Sequence, residues 1–184
     1  MTSRFDTDGA TASTHRVVLG LGSNLGDSLE HLQAGLDLLH DAGVHVGLVS
    51  PVYETAPIGG PDQGRFLNIV AVADTGLAPL ELLVACQRVE AERDRVRIER
   101  WGPRTLDVDV IAIDDLVSSD PVLTLPHPRA AERAFVCVPW HDIEPEATIP
   151  GVGSLAAVLA SLPDQDVVCR KDLAVVVPRS EDPS

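Results

Sequence analysis

Long apolar runs are missing from this chain: none approaches the roughly 20 residues that a membrane helix needs, and no basic and apolar leader opens it. A cytoplasmic protein with no membrane partner is the expectation. Cysteine is scarce. Cys86, Cys137 and Cys169 are odd in number, far apart and set among apolar residues, which fits neither a disulfide framework nor a zinc site, so buried thiols are expected. Lysine occurs once, at Lys171, and no Gly-rich phosphate loop with its Lys is present. Basic charge is short overall. With 14 Lys plus Arg against 28 Asp plus Glu the formal charge is −14, and so acidic a body repels polyanions, which argues against a nucleic-acid partner. There is no internal repeat and no evident nucleophile triad.

What is present is enough apolar material for one substantial core: 184 residues, 45% hydrophobic. Residues 1–14 and 178–184 are polar and rich in Ser, Thr, Asp and Pro, as solvated tails are, leaving one domain over 15–177. Arg16 to Gly22 reads as a buried strand, with a turn at Ser23 to Gly26. A helix follows, with a capping-box-like start at Asp27 and Glu30 and with Leu29, Leu32, Leu36 and Leu39 at helical spacing. Gly43 ends it. Val44 to Tyr53 reads as a second strand and Phe66 to Ala73 as a third, separated by a Pro/Gly loop. Pro79 opens a second helix reaching about Arg93, with Leu82, Cys86 and Val89 on one face. The strand from Asp107 completes the order βαββαβ, the ferredoxin-like split arrangement of the α+β class. Beyond it, short strands near Leu123 and Val136, a helix from about Ser154 to Leu162 and a strand from Val167 to Val177 are expected.

The stretch RWGPRTLDVDVIAID concentrates the chemistry. Alternation puts Leu106, Val108 and Val110 on one face and Asp107, Asp109, Ile111 and Ile113 on the other. The two carboxylates then stand about 6–7 Å apart, and at an effective dielectric near 20 their repulsion costs on the order of 2–3 kcal/mol unless a cation relieves it. An edge strand with solvated acids would look the same in isolation. The apolar continuation of the strand favours a central strand whose acids open into a pocket. Just before them Arg93, Arg95, Arg97, Arg100 and Arg104 place five of the 14 cations within twelve residues, and Arg suits bidentate phosphate contacts. The glycines of GLGSNLG follow a strand and precede a helix. Their spacing misses G-x-G-x-x-G by one position, and no acid ends the second strand, so a dinucleotide fold is not supported. Paired acids beside an Arg loop point to magnesium-dependent transfer of a phosphate-containing group, with Thr55, Asp62, Gln63 and Asn68 beside Phe66 as a second subsite for a flat polar acceptor.

Four segments carry a family resemblance: GLGSNLGD, YETAPIGGPDQGRFLN, RWGPRTLDVDV and LPHPRAAERAFV, in this order between about Val17 and Leu162. Together they resemble the 6-hydroxymethyl-7,8-dihydropterin pyrophosphokinases of folate biosynthesis, which have the ferredoxin-like fold. The resemblance implies transfer of pyrophosphate from ATP to the hydroxymethyl oxygen of the pterin, with release of AMP. Asp107 and Asp109 would hold two Mg²⁺ ions, and Arg95 and Arg104 would act with them in catalysis. Thr55, Pro57, Ile58, Phe66, Asn68, Trp101 and Phe135 would bind the pterin, the two Phe rings sandwiching it. Gln87, Glu90, Arg97, Trp101, Arg104, Val110, Thr124, His127 and Arg133 would contact ATP. A monomer is expected. Val122 and Pro128 stand where relatives can have Arg and Tyr, and Phe66 replaces a common Tyr. A binding module without catalysis and a different magnesium-dependent nucleotidyltransferase are the alternative functions.

Overall fold

Strand β1 (His15–Ser23) runs through the middle of the sheet, and the chain order after it is α1 (Ser28–Asp41), β2 (Val44–Val49), β3 (Tyr53–Thr55), β4 (Phe66–Thr75), α2 (Pro79–Glu92) and β5 (Asp107–Ile113). Then come β6 (Ser118–Ser119), β7 (Thr124–Leu125), a short 3-10 turn (Ala130–Glu132), α3 (Ala134–Ile143), β8 (Thr148–Ile149), β9 (Gly153–Ser154), α4 (Leu155–Ser161) and β10 (Val167–Cys169). The computed structural model describes residues 14–57, 63–93 and 104–179.

Local chemistry starts and stops the helices where the sequence indicates. The Asp27 carboxylate accepts from the Glu30 amide at 3.0 Å, satisfying one of the unpaired donors of the first turn of α1, and Gly43, at φ +85°, lets the chain turn away from its end. Glu81 does the same service for α2, accepting from Ala78 N at 2.9 Å. Leu32, Leu36 and Leu39 of α1 and Leu82, Cys86 and Val89 of α2 are buried in one core against the sheet.

β1 pairs antiparallel with β4 on one side and β5 on the other, and β4 pairs in turn with both β2 and β3. The expected strand from Val44 to Tyr53 is therefore two. The break falls at Ser50 and Pro51, where proline has no donor for the ladder; the Ser50 hydroxyl substitutes, accepting from Val70 N at 3.0 Å. Counting β2 and β3 as one interrupted strand, the order second, third, first, fourth is that of the ferredoxin-like arrangement. β10 joins the edge at β3.

The opposite face of the sheet carries a second core. Val18, Val70, Val72, Ile111 and Ala112 pack there with Val136, Cys137 and Trp140 of α3 and Leu155 of α4. β5 is an edge strand of this sheet, paired with β1 alone among the described strands, and not the central strand that its apolar continuation suggested; helices on both sides explain why it is apolar on both faces.

Four further expectations are corrected. Val136 lies in a helix, because the apolar run AFVCVPWHDI buries Val136, Cys137 and Trp140 against the sheet at helical spacing. The last strand is only Val167–Cys169: past Arg170 the backbone leaves the sheet, and Val176 bonds the Gln33 side chain through both its N–H, at 2.7 Å, and its carbonyl, at 3.0 Å. The alternating Leu173, Val175 and Val177 still pack on the α1/α2 core, so the pattern reflects burial rather than pairing. In β5, Val18 faces Ala112 while Leu19 faces Val110, leaving Ile111 as a bulge residue that moves Ile113 from the acid face to the α1/α2 core. Cys169 is half-buried, unlike Cys86 and Cys137.

Candidate active site

The pleat of β5 turns Asp107 and Asp109 to the α3 side of the sheet, and their partners in β1 are glycines: Asp107 faces Gly22 and Asp109 faces Gly20. Gly22 also faces Asn68 of β4. Three strands thus present, side by side, a carboxylate, a bare backbone position and an amide. The gap is already used, since a methyl on Gly22 would lie 2.9 Å from Asn68 Oδ1 and 3.8 Å from the Phe66 ring. Glycine here permits close approach, which is the reason it stands in a strand at all.

Each carboxylate has a cation. Arg104 is ion-paired with Asp107, and Arg133 Nη1 donates to Asp109 Oδ2 at 3.0 Å. His127 Nε2 stands 3.9 Å from the same oxygen. The bulge places that histidine: the carbonyl of Ile111 accepts from His127 N at 2.8 Å. Burial holds the His127 imidazole below the usual histidine range, against the pull of Asp109. The Arg133 guanidinium also lies over the Phe135 ring, 5.4 Å from its centre.

On one side of the acids is a cavity of about 260 Å³ lined by Leu83, Val108, Asp109, Val110, Pro121, Val122, Leu123, Thr124, His127 and Pro128. It brings together Val110, Thr124 and His127 from the expected nucleotide set, and the departures Val122 and Pro128 line it too. Gln87, one turn along α2 from Leu83, is exposed. Glu90, a further turn on, is buried, and its Oε1 accepts from the Val108 amide at 2.8 Å, so it braces β5 directly beneath the acid pair.

On the other side is a polar floor with an aromatic edge. Asn68 Nδ2 donates to Thr55 Oγ1 at 2.8 Å, and both residues are buried. Phe66 opens β4 opposite Thr55, while Phe135, in the first turn of α3, rests on the second core. Pro57 is half-buried just beyond β3. Ile58, Asp62, Arg95, Arg97, Arg100 and Trp101 lie outside the described residues. Arg93, the first of the arginine run, is bound to α1, donating to His31 Nδ1 at 2.8 Å and pairing with Glu30.

Sequence reasoning missed Asn24. Its Oδ1 accepts from Arg104 N at 2.8 Å, its Nδ2 donates to Gln63 Oε1 at 3.0 Å and to the Gly64 carbonyl at 3.1 Å, and the Arg104 carbonyl takes the Asn24 and Leu25 amides. It ties three loops to the strand ends. An Asn in a Gly-bounded turn was the available signal.

Two carboxylates side by side suit magnesium, which takes one or two protein carboxylates and completes its octahedron with water and substrate phosphates. Among the described residues no group of three or more His, Cys, Asp or Glu forms a metal cage. Also among them, no helix is long and apolar enough to cross a membrane.

Comparison with known proteins bears on this arrangement. Residues 18–145 match the 7,8-dihydro-6-hydroxymethylpterin-pyrophosphokinase (HPPK) family. The chain is 42% identical over 153 residues to the 2-amino-4-hydroxy-6-hydroxymethyldihydropteridine pyrophosphokinase of Pseudomonas aeruginosa, covering 83% of this chain and 94% of that protein. It is 45% identical over 148 residues to the enzyme of the same name from Mycobacterium tuberculosis, covering 75% of this chain and 77% of that one. In fold it resembles the crystal structure of Plasmodium falciparum HPPK-DHPS with SDX-DHP, with a TM-score of 0.65 at 14% identity over 80% of this chain, which spans only 44% of that longer one. The chain therefore belongs to the 7,8-dihydro-6-hydroxymethylpterin-pyrophosphokinase family, and with it to the pyrophosphokinase enzymes.

Proposed function

We propose that the protein transfers the pyrophosphoryl group of ATP to the hydroxymethyl oxygen of 6-hydroxymethyl-7,8-dihydropterin in the presence of Mg²⁺. One observation supports this above others: the Asp107–Asp109 face, with Arg104 and Arg133 on it, stands between the cavity along β5 and the Thr55–Asn68–Phe66 floor. The nucleotide enters the cavity, where Val110, Thr124 and His127 line the wall, and its phosphates extend to the acids. The pterin lies on the floor, stacked by Phe66 and Phe135 and read along its edge by Asn68.

The hydroxymethyl oxygen attacks the β-phosphorus in line. The bond from that phosphorus to the bridging oxygen of AMP breaks, AMP leaves with the oxygen, and the hydroxyl proton is lost. Asp107 and Asp109 would hold two Mg²⁺ ions, whose chemistry is to neutralise charge on the phosphates. Arg104 and Arg133 stabilise the negative charge that develops, and the Thr55 hydroxyl keeps the Asn68 amide aimed at the pterin edge. The half-buried setting limits water, which favours the pterin hydroxyl as acceptor.

Incubating the protein with ATP, Mg²⁺ and the pterin and identifying the released nucleotide tests this. AMP together with the pterin diphosphate is expected. Pyrophosphate as product would reassign the site to nucleotidyl transfer, and pterin binding without turnover would make it a binding module.

A further inference from the structure

The family match ends at residue 145, yet the chain beyond α4 is built into both sides of the pterin floor. Gln165 reaches α3. Its Oε1 accepts from Ala134 N at 3.0 Å, and its Nε2 donates to the Glu132 carbonyl at 2.8 Å. Arg133, the residue before the helix, supplies no side-chain cap, so Gln165 from 31 positions away satisfies the first amide of α3. That helix turn carries Phe135, and Arg133 beside it holds Asp109.

The next two residues reach the opposite side. Asp166 binds Arg65, which immediately precedes Phe66, at 2.8 Å. Val167 pairs with Thr55, whose hydroxyl receives Asn68 and whose partner in β4 is Phe66. Three consecutive residues therefore join the Phe135 wall to the Phe66 wall. Asp166 holds φ +54° at the centre of this link, a backbone position that fixes the direction change between the two contacts.

We propose that Gln165–Val167 is a strut that sets the separation of the two aromatic walls, with Gln165 as a positioning residue for the pterin. The proposal rests on the pterin reading above. Stacking is sensitive to such spacing, because an extra gap of about 0.5–1 Å forfeits a quarter to a half of each dispersion contact. The cavity along β5 has no lining residue from this segment, which reaches the nucleotide side only through Arg133, so nucleotide binding depends on it far less than pterin binding does.

Calorimetric titration of the full chain with 6-hydroxymethylpterin, and separately with a non-hydrolysable ATP analogue plus Mg²⁺, tests the strut in Gln165→Ala and Gln165→Glu. Gln165→Ala weakens pterin binding about five- to tenfold, the scale of a lost helix cap, while nucleotide affinity stays within about twofold. Gln165→Glu keeps the acceptor for Ala134 N but sets a carboxylate oxygen against the Glu132 carbonyl, so it recovers only part of the loss. Asp166→Asn, which tolerates the left-handed backbone and removes only the charge on Arg65, gives a smaller loss of the same kind and carries the test if Gln165→Ala does not fold. Unchanged pterin affinity in these variants overturns the strut, as does an equal fall in both affinities. A wild-type chain that binds nucleotide but no pterin overturns the substrate reading itself, and the strut with it.

Discussion

Gly22 and Asn68 face each other across β1 and β4, and the amide oxygen of Asn68 occupies the space where a side chain on Gly22 would begin: an added methyl would lie 2.9 Å from it. That oxygen cannot simply swing aside, because Asn68 Nδ2 is held by Thr55 Oγ1 at 2.8 Å. Gly22→Ala should therefore displace the amide and weaken pterin affinity by roughly tenfold, about 1.4 kcal/mol, with nucleotide affinity unchanged. Fluorescence titration of the pterin measures it. Wild-type affinity in the variant would mean that Asn68 does not read the pterin.

Replacing Asp107 or Asp109 by Ala should lower Mg²⁺-dependent turnover about 10³-fold with the fold retained, because each loses charge stabilisation worth several kcal/mol. Steady-state assays at saturating Mg²⁺, with circular dichroism as the check on folding, decide it. Activity within a few-fold of wild type would leave the pair with Arg104 and Arg133 as a structural ion-pair set.

For the aromatic walls, Phe66→Ala and Phe135→Ala should each cost about 1 kcal/mol of pterin binding, close to fivefold, by removing one stacking face. Phe135→Ala also takes away the ring under Arg133, so it alone should disturb turnover beyond its effect on pterin affinity. Equal pterin affinity in both variants and wild type, by calorimetry, would remove the sandwich.

Glu90 matched an ATP-contacting position in the sequence, yet its carboxylate receives the Val108 amide inside the protein. Glu90→Ala leaves that amide without its acceptor and should destabilise the fold by about 1–3 kcal/mol, a fall of several degrees in Tm. Glu90→Gln keeps an acceptor and should lie close to wild type. Thermal unfolding of the two variants separates bracing from nucleotide contact, since loss of ATP affinity in Glu90→Gln at unchanged Tm would favour the latter.

Thiol reactivity reports the packing of the two cores and of the sheet edge at β10. Burial pushes Cys86 up to about 12, helped by the nearby Glu90 and Asp109 charges, and burial pushes Cys137 up to about 11. At pH 8 both should hold well under about 1% thiolate and resist alkylation in the native protein, while half-buried Cys169 reacts first. Mass spectrometry of peptides after brief iodoacetamide treatment checks the order. Raising the pH toward 11 increases the thiolate fraction of Cys137 before that of Cys86.

The sequence by itself determined the elements whose signals are local. Asp27 and Gly43 bound α1 through a capped amide and a left-handed turn, and Leu32, Leu36 and Leu39 mark its buried face, all within one stretch of chain. Alternation alone put Asp107 and Asp109 on one side of β5. It failed at Ile113, because a bulge depends on the partner strand and leaves no mark in the bulged one. It also failed at Val136 and over 170–177, where an apolar pattern records that residues are buried but not whether a sheet or a helix buries them. Only the tertiary structure decided that Arg133 would reach Asp109, that Glu90 would brace Val108, and that Gln165 would cap α3. Those are contacts between residues 24, 18 and 31 positions apart, and their geometry is set by how the helices settle on the two faces of the sheet, which no window of sequence contains.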